Sequence, residues 1–340
     1  MKAIRYLLFP FAIIYDFITT LRNLFYDKGI FKSTEFDLPV IAVGNLSTGG
    51  TGKSPQIEYL IRLLKDDYKV AVLSRGYKRR TKGFIVLNDR HNAEDVGDEP
   101  LQFFSKFKED VTVAVDADRT NGIQQLISTV NPEVILLDDA FQHRKVKAGY
   151  YILLTKFNEL YCDDFILPTG NLRESRRGSK RANSIIVTKC PEHLSEAEMT
   201  TIRKKLKVGD NQKVYFSTIG YNKQLKGSEN ITLEELQDKD LVLVTGIANP
   251  DPLLAYLKKN ELRFTHINYP DHHNFTDSDI SKIEKTLNSI VSEKKLILTT
   301  EKDYMRLQDK ISNLVYISIE TRFLAEEKLF TSDIVDFIKG

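Results

Sequence analysis

Lys53 and Ser54 close the run V-I-A-V-G-N-L-S-T-G-G-T-G-K-S, which extends from Val40 to Ser54. A lysine and a hydroxyl directly behind closely spaced glycines suit a phosphate chain. Gly49, Gly50 and Gly52 let the backbone turn several N–H groups inward, as an anion cradle at a helix N-terminus. Ser47, Thr48 and Thr51 complete the loop. Lys53 would reach the β- and γ-phosphates of a nucleoside triphosphate, and the Ser54 hydroxyl would sit on Mg²⁺. A second group is Asp138-Asp139, which ends the apolar run Val134–Leu137 as a Walker B carboxylate ends its strand. Two adjacent buried carboxylates repel unless a cation such as Mg²⁺ joins them. A third is Asp271-His272-His273, a histidine beside a carboxylate. Its ordinary pKa of about 6.5 suits proton transfer, but an Asp-His turn capping the next helix fits the spacing equally.

These groups need elements to hold them. Val40–Val43 lies between Pro39 and Gly44, as a buried strand does. Pro55 opens a helical pattern with Ile57, Leu60, Ile61 and Leu64 on one face. Strand, loop and helix are the context that makes the cradle credible. The strict G-x-x-x-x-G-K-[ST] pattern asks for glycine at 47, where this chain has Ser47. The G-G-T-G-K-S core resembles the variant loop of the MinD-type ATPases, but their extra lysine would fall on Thr48.

Further strands follow at Val70–Leu73, Val111–Val115, Tyr150–Leu154 and Ile185–Val187, with a short arm at Phe84–Leu87. In open α/β sheets ligands sit beyond the C-terminal strand ends. Arg75, in S-R-G-Y-K-R-R, and Arg119, in D-A-D-R, lie at such ends, as do Gln142 and His143. Asp98 and Glu99 precede Pro100, and spacing alone makes them helix-capping carboxylates. The basic loop from Leu167 to Arg181 carries Asn171 and Arg173 and could meet a phosphorylated acceptor or an anionic membrane surface. Thr188-Lys189-Cys190-Pro191 lacks the carboxylate that reads guanine. A second α/β unit contributes strands at Leu241–Val244, Arg263–Tyr269, Leu296–Leu298 and Leu314–Ile319, with Thr276 and Asp279 as a capping box.

At 340 residues the chain suggests about two domains, with the division inside the lysine-rich stretch 195–240. We place it as 1–30, 31–215 and 216–340. A net charge of +2 gives no global argument for nucleic acid, and no obligate protein partner is inferred. Cys162 and Cys190 make neither a disulfide framework nor a zinc site. The first 26 residues are apolar with Lys2, Arg5 and Arg22 near the ends, but Pro10 and Asp16 leave the uninterrupted part too short to span a bilayer. An amphipathic helix lying in the membrane interface fits, as does a helix packed on the protein's own core.

The ordered set G-N-L-S-T-G-G-T-G-K-S-P, S-R-G-Y, V-G-D-E-P, D-A-D-R, L-L-D-D-A-F-Q-H, L-P-T-G-N-L-R-E, V-T-G-I-A-N-P, P-D-H-H-N-F and T-E-K-D resembles the tetraacyldisaccharide 4'-kinases, from the N-terminal apolar segment to about residue 307. The resemblance implies an α/β fold: a P-loop domain with a mostly parallel sheet, a smaller α/β domain hinged to it by a β-ribbon, and an N-terminal interface helix. It implies transfer of the γ-phosphoryl of ATP, with Mg²⁺, to the 4'-hydroxyl of a tetraacylated glucosamine disaccharide 1-phosphate at the cytoplasmic face of the inner membrane. Asp98 and His272 would activate the acceptor hydroxyl, and Asp138 and Asp139 would handle Mg²⁺ and phosphate geometry. Ser54, Glu99, Asp138 and Asp139 are the expected metal group, and Arg75, Arg119, Gln142, His143, Asn171 and Arg173 the expected acceptor-binding group. A membrane-associated P-loop switch or partitioning ATPase would share the loop and the apolar start, but would leave His272 and the basic 167–181 loop without a purpose.

Overall fold

The computed structural model describes residues 5–271 and 273–340. The chain divides into two compact units. One runs to Ile219 and takes up Thr321–Gly340 again; the other is Gly220–Glu320. Both passages between them fall within strands, β8 (Lys213–Tyr221) and β15 (Ile319–Phe323), which are neighbours in one sheet.

The first unit is built on β1 (Val40–Asn45), β2 (Val70–Ser74), β3 (Ile85–Val86), β4 (Thr112–Val115), β5 (Val134–Asp138), β6 (Tyr150–Lys156) and β7 (Ser184–Thr188). With β8 and β15 they form a nine-stranded sheet in the order β15-β8-β7-β6-β1-β5-β2-β4-β3. From β8 to β4 neighbouring strands pair parallel, and the short β3 pairs antiparallel with β4. Every residue of β1, β2, β5 and β7 is buried. Their unbroken apolar runs are what a parallel sheet covered on both faces demands. The register sets β1 between β5 and β6, with Val43 opposite Asp138, so the phosphate loop and the Asp138-Asp139 pair leave the same sheet edge side by side.

The helices of this unit are α1 (Phe9–Asp27), α2 (Lys53–Leu64), α3 (Ala93–Val96), α4 (Asp98–Phe107), α5 (Arg119–Thr129) and α6 (Glu196–Leu206). α2 starts at Lys53 rather than Pro55, so the proline falls in the first turn, where its missing N–H costs nothing. α1 turns its apolar side chains outward: Leu7 just before it is 77% exposed and Phe17 67% exposed. Its other face docks through Ala12 and Thr19, the Tyr15 hydroxyl donating to the Arg173 carbonyl at 3.0 Å, and Asn23 donating to Glu174 at 2.7 Å. The helix thus packs on the protein through one face and leaves its apolar side chains exposed. Among the described residues no helix is long and apolar enough to cross a membrane.

The second unit holds β9 (Gln224–Gly227), β10 (Ile231–Thr232), β11 (Asp240–Thr245), β12 (Arg263–Asn268), β13 (Lys295–Thr300) and β14 (Leu314–Ile317), in the order β10-β9-β14-β13-β11-β12. Alternate residues face opposite ways. Leu241, Leu243, Leu296 and Leu298 pack with Leu253 and Leu257 of α7 (Asp251–Lys259). Val242, Val244 and Ile297 pack with Ile283 and Leu287 of α8 (Asp277–Asn288). α9 (Glu301–Leu307) follows β13 directly. The expected strand 314–319 is two strands, β14 in this sheet and β15 in the other.

The expected third domain, 216–340, loses its last part to the first unit. α10 (Glu327–Lys339) explains why. Its Phe330 is fully buried against Tyr59, Tyr215 and Phe323, and Phe337 packs on Tyr150. These aromatic contacts join residues far apart in sequence, which no local pattern announces.

Candidate active site

The loop after β1 reaches α2 through Gly52, whose φ of +91° is left-handed backbone that glycine adopts without strain. Asn45, fully buried at the end of β1, donates to the Thr51 hydroxyl at 2.9 Å. Thr188 at the end of β7 donates to the Thr51 carbonyl at 2.8 Å. The loop is thus clamped from inside the sheet, and the T-K-C-P segment serves as a brace. On its other side the Thr48 N–H donates to the Asn171 carbonyl at 2.8 Å, and Ser47 bridges Leu172. The amide of Thr48 is therefore spent on the 171–173 segment, and the open cradle begins at Gly49. A Cβ at Gly49 or Gly50 would meet nothing within 4 Å, as suits a surface that a ligand covers.

Lys53 leads back toward β5, with Nζ 3.7 Å from Asp139. Arg173 donates to the same carboxylate at 2.9 Å and also to the Asn45 side chain. Burial pushes the Asp139 carboxyl up, but Lys53 and Arg173 outweigh it and hold it below its ordinary value. Asp138 differs. It is fully buried, burial and then the Glu99 carboxylate push it up to about 7, and the Ser74 hydroxyl, at 2.5 Å, and the Lys53 charge pull the other way. Its Oδ1 is buried with no hydrogen-bond partner among the described residues. Adjacent aspartates thus have opposite characters, one paired with cations, the other awaiting one.

Glu99 stands beside them because α2 and α4 are tied together. Glu58 of α2, almost fully buried, accepts from Gln102 at 2.9 Å and Lys106 at 2.7 Å, both on α4. This fixes the first turn of α4, where Asp98 and Glu99 sit as acidic residues; the N-cap is Gly97, without a side-chain cap hydrogen bond. The Ser54 hydroxyl lies 3.3 Å from Glu99 Oε1. Gly97, with φ +94°, lies so close to Gly76 that a Cβ there would come within 3.3 Å of it, which draws the Asp98 turn against the S-R-G-Y loop.

The described residues include no group of three or more His, Cys, Asp or Glu able to hold a metal. Mg²⁺ on a nucleotide usually takes only one or two carboxylates, its remaining ligands being phosphates and water. The orphaned Asp138 Oδ1 next to Ser54 and Glu99 fits that use.

The expected acceptor-binding residues separate. Arg75 is exposed and, among the described residues, forms no ion pair. Arg119, expected to bind the acceptor, is 1% exposed, and its guanidinium donates to the Asp116 carbonyl at 2.7 Å and the Asp138 carbonyl at 3.1 Å. Burial lowers it to about 10, which leaves it a cation beneath the carboxylate pair. His143 is lowered to about 4 by burial and then by Arg119, so it is neutral near pH 7. Gln142 donates to the Asn45 carbonyl at 2.8 Å and to Glu174 at 3.0 Å. The Asn171 side chain accepts from Arg5 at 3.0 Å. Arg173 joins the nucleotide side through Asp139. His272 lies outside the described residues, so the expected pairing with Asp98 is not visible.

Sequence reasoning missed Asn45, Glu58 and Glu174. Glu174 is a buried carboxylate that accepts from Asn23, Gln142 and Arg181. A charged residue inside an apolar context, such as Glu58 among Ile57, Leu60 and Ile61, is the signal that could have found such ties.

Comparison with known proteins places this geometry. The tetraacyldisaccharide-1-P 4'-kinase family profile matches residues 4–339. The chain belongs to this family. Its relatives include the tetraacyldisaccharide 4'-kinases of Flavobacterium johnsoniae, 54% identical with 100% of this chain and 98% of that protein covered, and of Bacteroides thetaiotaomicron, 42% identical with 98% and 93% covered. A crystal structure of LpxK from Aquifex aeolicus, described as in complex with ATP, has a TM-score of 0.79 at 30% identity, covering 98% of this chain and 99% of that one. Within the tetraacyldisaccharide-1-P 4'-kinase family the departure at Ser47 is no obstacle to the loop, since its backbone is held by the 171–173 segment.

Proposed function

We infer that the chain is an ATP-dependent phosphotransferase that phosphorylates the 4'-hydroxyl of a tetraacylated glucosamine disaccharide 1-phosphate to give lipid IVA, a lipid A precursor. The observation that carries this is the match of one kinase family along essentially the whole chain, with an ATP-binding relative of the same fold.

The reaction follows from what the residues can do. The first-turn amides of α2 and the glycine cradle bind the β- and γ-phosphates and orient them. Lys53 and Arg173, resting on Asp139, exchange that carboxylate for phosphoryl oxygens as charge builds on the transferring group. Ser54, Asp138 and Glu99 would hold Mg²⁺, which would supply charge neutralisation for the phosphates. The acceptor oxygen bonds to the γ-phosphorus, the bond to the β–γ bridging oxygen breaks, and ADP leaves. The hydroxyl proton passes to His272, with Asp98 orienting the imidazole. Arg75 is the exposed cation suited to an anionic group of the acceptor. The outward apolar face of α1 supports seating of the enzyme on the inner membrane's cytoplasmic surface, where a lipid acceptor resides.

His272→Ala tests the proton step. Loss of a general base costs about 10²–10⁴-fold, so turnover on the lipid acceptor should fall within that range with ATP binding intact. Full turnover would remove His272 from the mechanism.

A further inference from the structure

The second unit contains a device that the reaction above does not use. In the T-E-K-D segment, Thr300 caps α9, its hydroxyl accepting from the Asp303 N–H at 3.2 Å. Asp303 is fully buried. Its Oδ2 accepts from the Gly246 N–H at 2.8 Å and from the Thr300 hydroxyl at 2.7 Å. A Cβ on Gly246 would sit 2.9 Å from Asp303 Oδ1, so the glycine permits this approach. The loop that leaves β11 is thereby fastened to α9.

The same helix fastens the loop that leaves β12. Lys302 Nζ donates to the Asp271 carboxylate at 3.2 Å. Arg306 Nη1 donates to the His273 carbonyl at 2.9 Å. Lys310, just past the helix, donates to the Phe275 carbonyl at 2.6 Å. Positions 302, 306 and 310 recur every four residues, one stripe along a helix and its continuation. They meet positions 271, 273 and 275, every second residue of the loop. From the other side the loop is closed by His273, whose Nε2 lies 2.9 Å from Asp279 and whose ring stacks on Tyr269 at 4.7 Å. Two cations of α9 and a third just past it reach one short loop.

We propose that Lys302 and Arg306 are positioning residues for the phosphoryl transfer: they hold Asp271 and His273, the chain neighbours of His272. This rests on the reading of His272 as the proton acceptor. A misplacement of about 1 Å costs on the order of 10²-fold in such a reaction, so the brace bears on rate rather than on nucleotide affinity. The cradle that binds ATP belongs to the other unit.

The test is steady-state kinetics with ATP and tetraacyldisaccharide 1-phosphate on Lys302→Met, Arg306→Met and Arg306→Lys, each alone and combined with His272→Ala. The expected result is a fall in kcat of about 10–100-fold for Arg306→Met with KM for ATP unchanged, partly restored in Arg306→Lys. Groups that act as one unit are non-additive. On top of His272→Ala, Arg306→Met should therefore change kcat by less than about twofold. If Arg306→Met does not fold, as judged by thermal unfolding, Lys302→Met carries the same comparison. Unchanged kcat in the single variants, or losses that multiply with that of His272→Ala, would overturn the brace while leaving His272 in its role. Full turnover by His272→Ala would overturn both.

Discussion

At the scale of residues, the decisive feature is that Asp138 and Asp139 are held in different states by their surroundings. Asp138 has a folded value of about 7 against an ordinary carboxylate value near 4, because burial and Glu99 oppose its charge. A raised carboxyl keeps its proton in the folded state after the unfolded chain has lost it. Its contribution to stability is therefore full below about pH 4 and is lost as pH rises to about 7. Asp138→Asn removes this penalty. Thermal unfolding without nucleotide should show the variant more stable than the parent at pH 8, with the difference shrinking toward pH 5, while its kinase activity is low. A difference independent of pH would contradict the assignment. Little of this was legible beforehand. The sequence pattern V-I-L-L-D-D announces two carboxylates at a strand end, but which one meets Lys53 and Arg173 depends on the neighbouring strand and on a loop more than thirty residues away. The burial of Arg119 was not readable for a related reason. Its position at a strand end is readable, whereas its fit beneath the Asp138 carbonyl is a packing outcome.

At the scale of elements, the strands and most helices follow from local pattern: unbroken apolar runs give the buried strands, and the Thr276–Asp279 capping box forms as its residues suggest. Connections that depend on polar side chains were not readable. The face of α1 that docks is one of these. Tyr15, Arg22 and Asn23 reach the Arg173 carbonyl, the Gln142 carbonyl and Glu174, and thereby orient the apolar face outward. That face yields an expectation for vesicles of inner-membrane phospholipid composition. The intact protein should float with them, and a chain starting at Lys28 should remain in the dense fractions, since each exposed Leu, Ile or Phe contributes about 1.5–3 kcal/mol on burial. Equal flotation of both proteins would show that α1 is not the anchor.

At the scale of the whole molecule, the chain alternates between two α/β units and returns to the first through β15 and α10, a return hidden from sequence because it rests on Phe330 and Phe337 finding Tyr59, Tyr215 and Tyr150. The first unit supplies the phosphate cradle and its paired aspartates, and the second carries the braced loop around position 272. The central claim is that the phosphoryl group held in the first is handed to a lipid hydroxyl rather than to water. Incubation of the protein with γ-labelled ATP and tetraacyldisaccharide 1-phosphate tests this directly. The account predicts label on the lipid, at the 4'-position, dependent on Lys53. Label appearing only as inorganic phosphate, with the lipid unmodified, would contradict it.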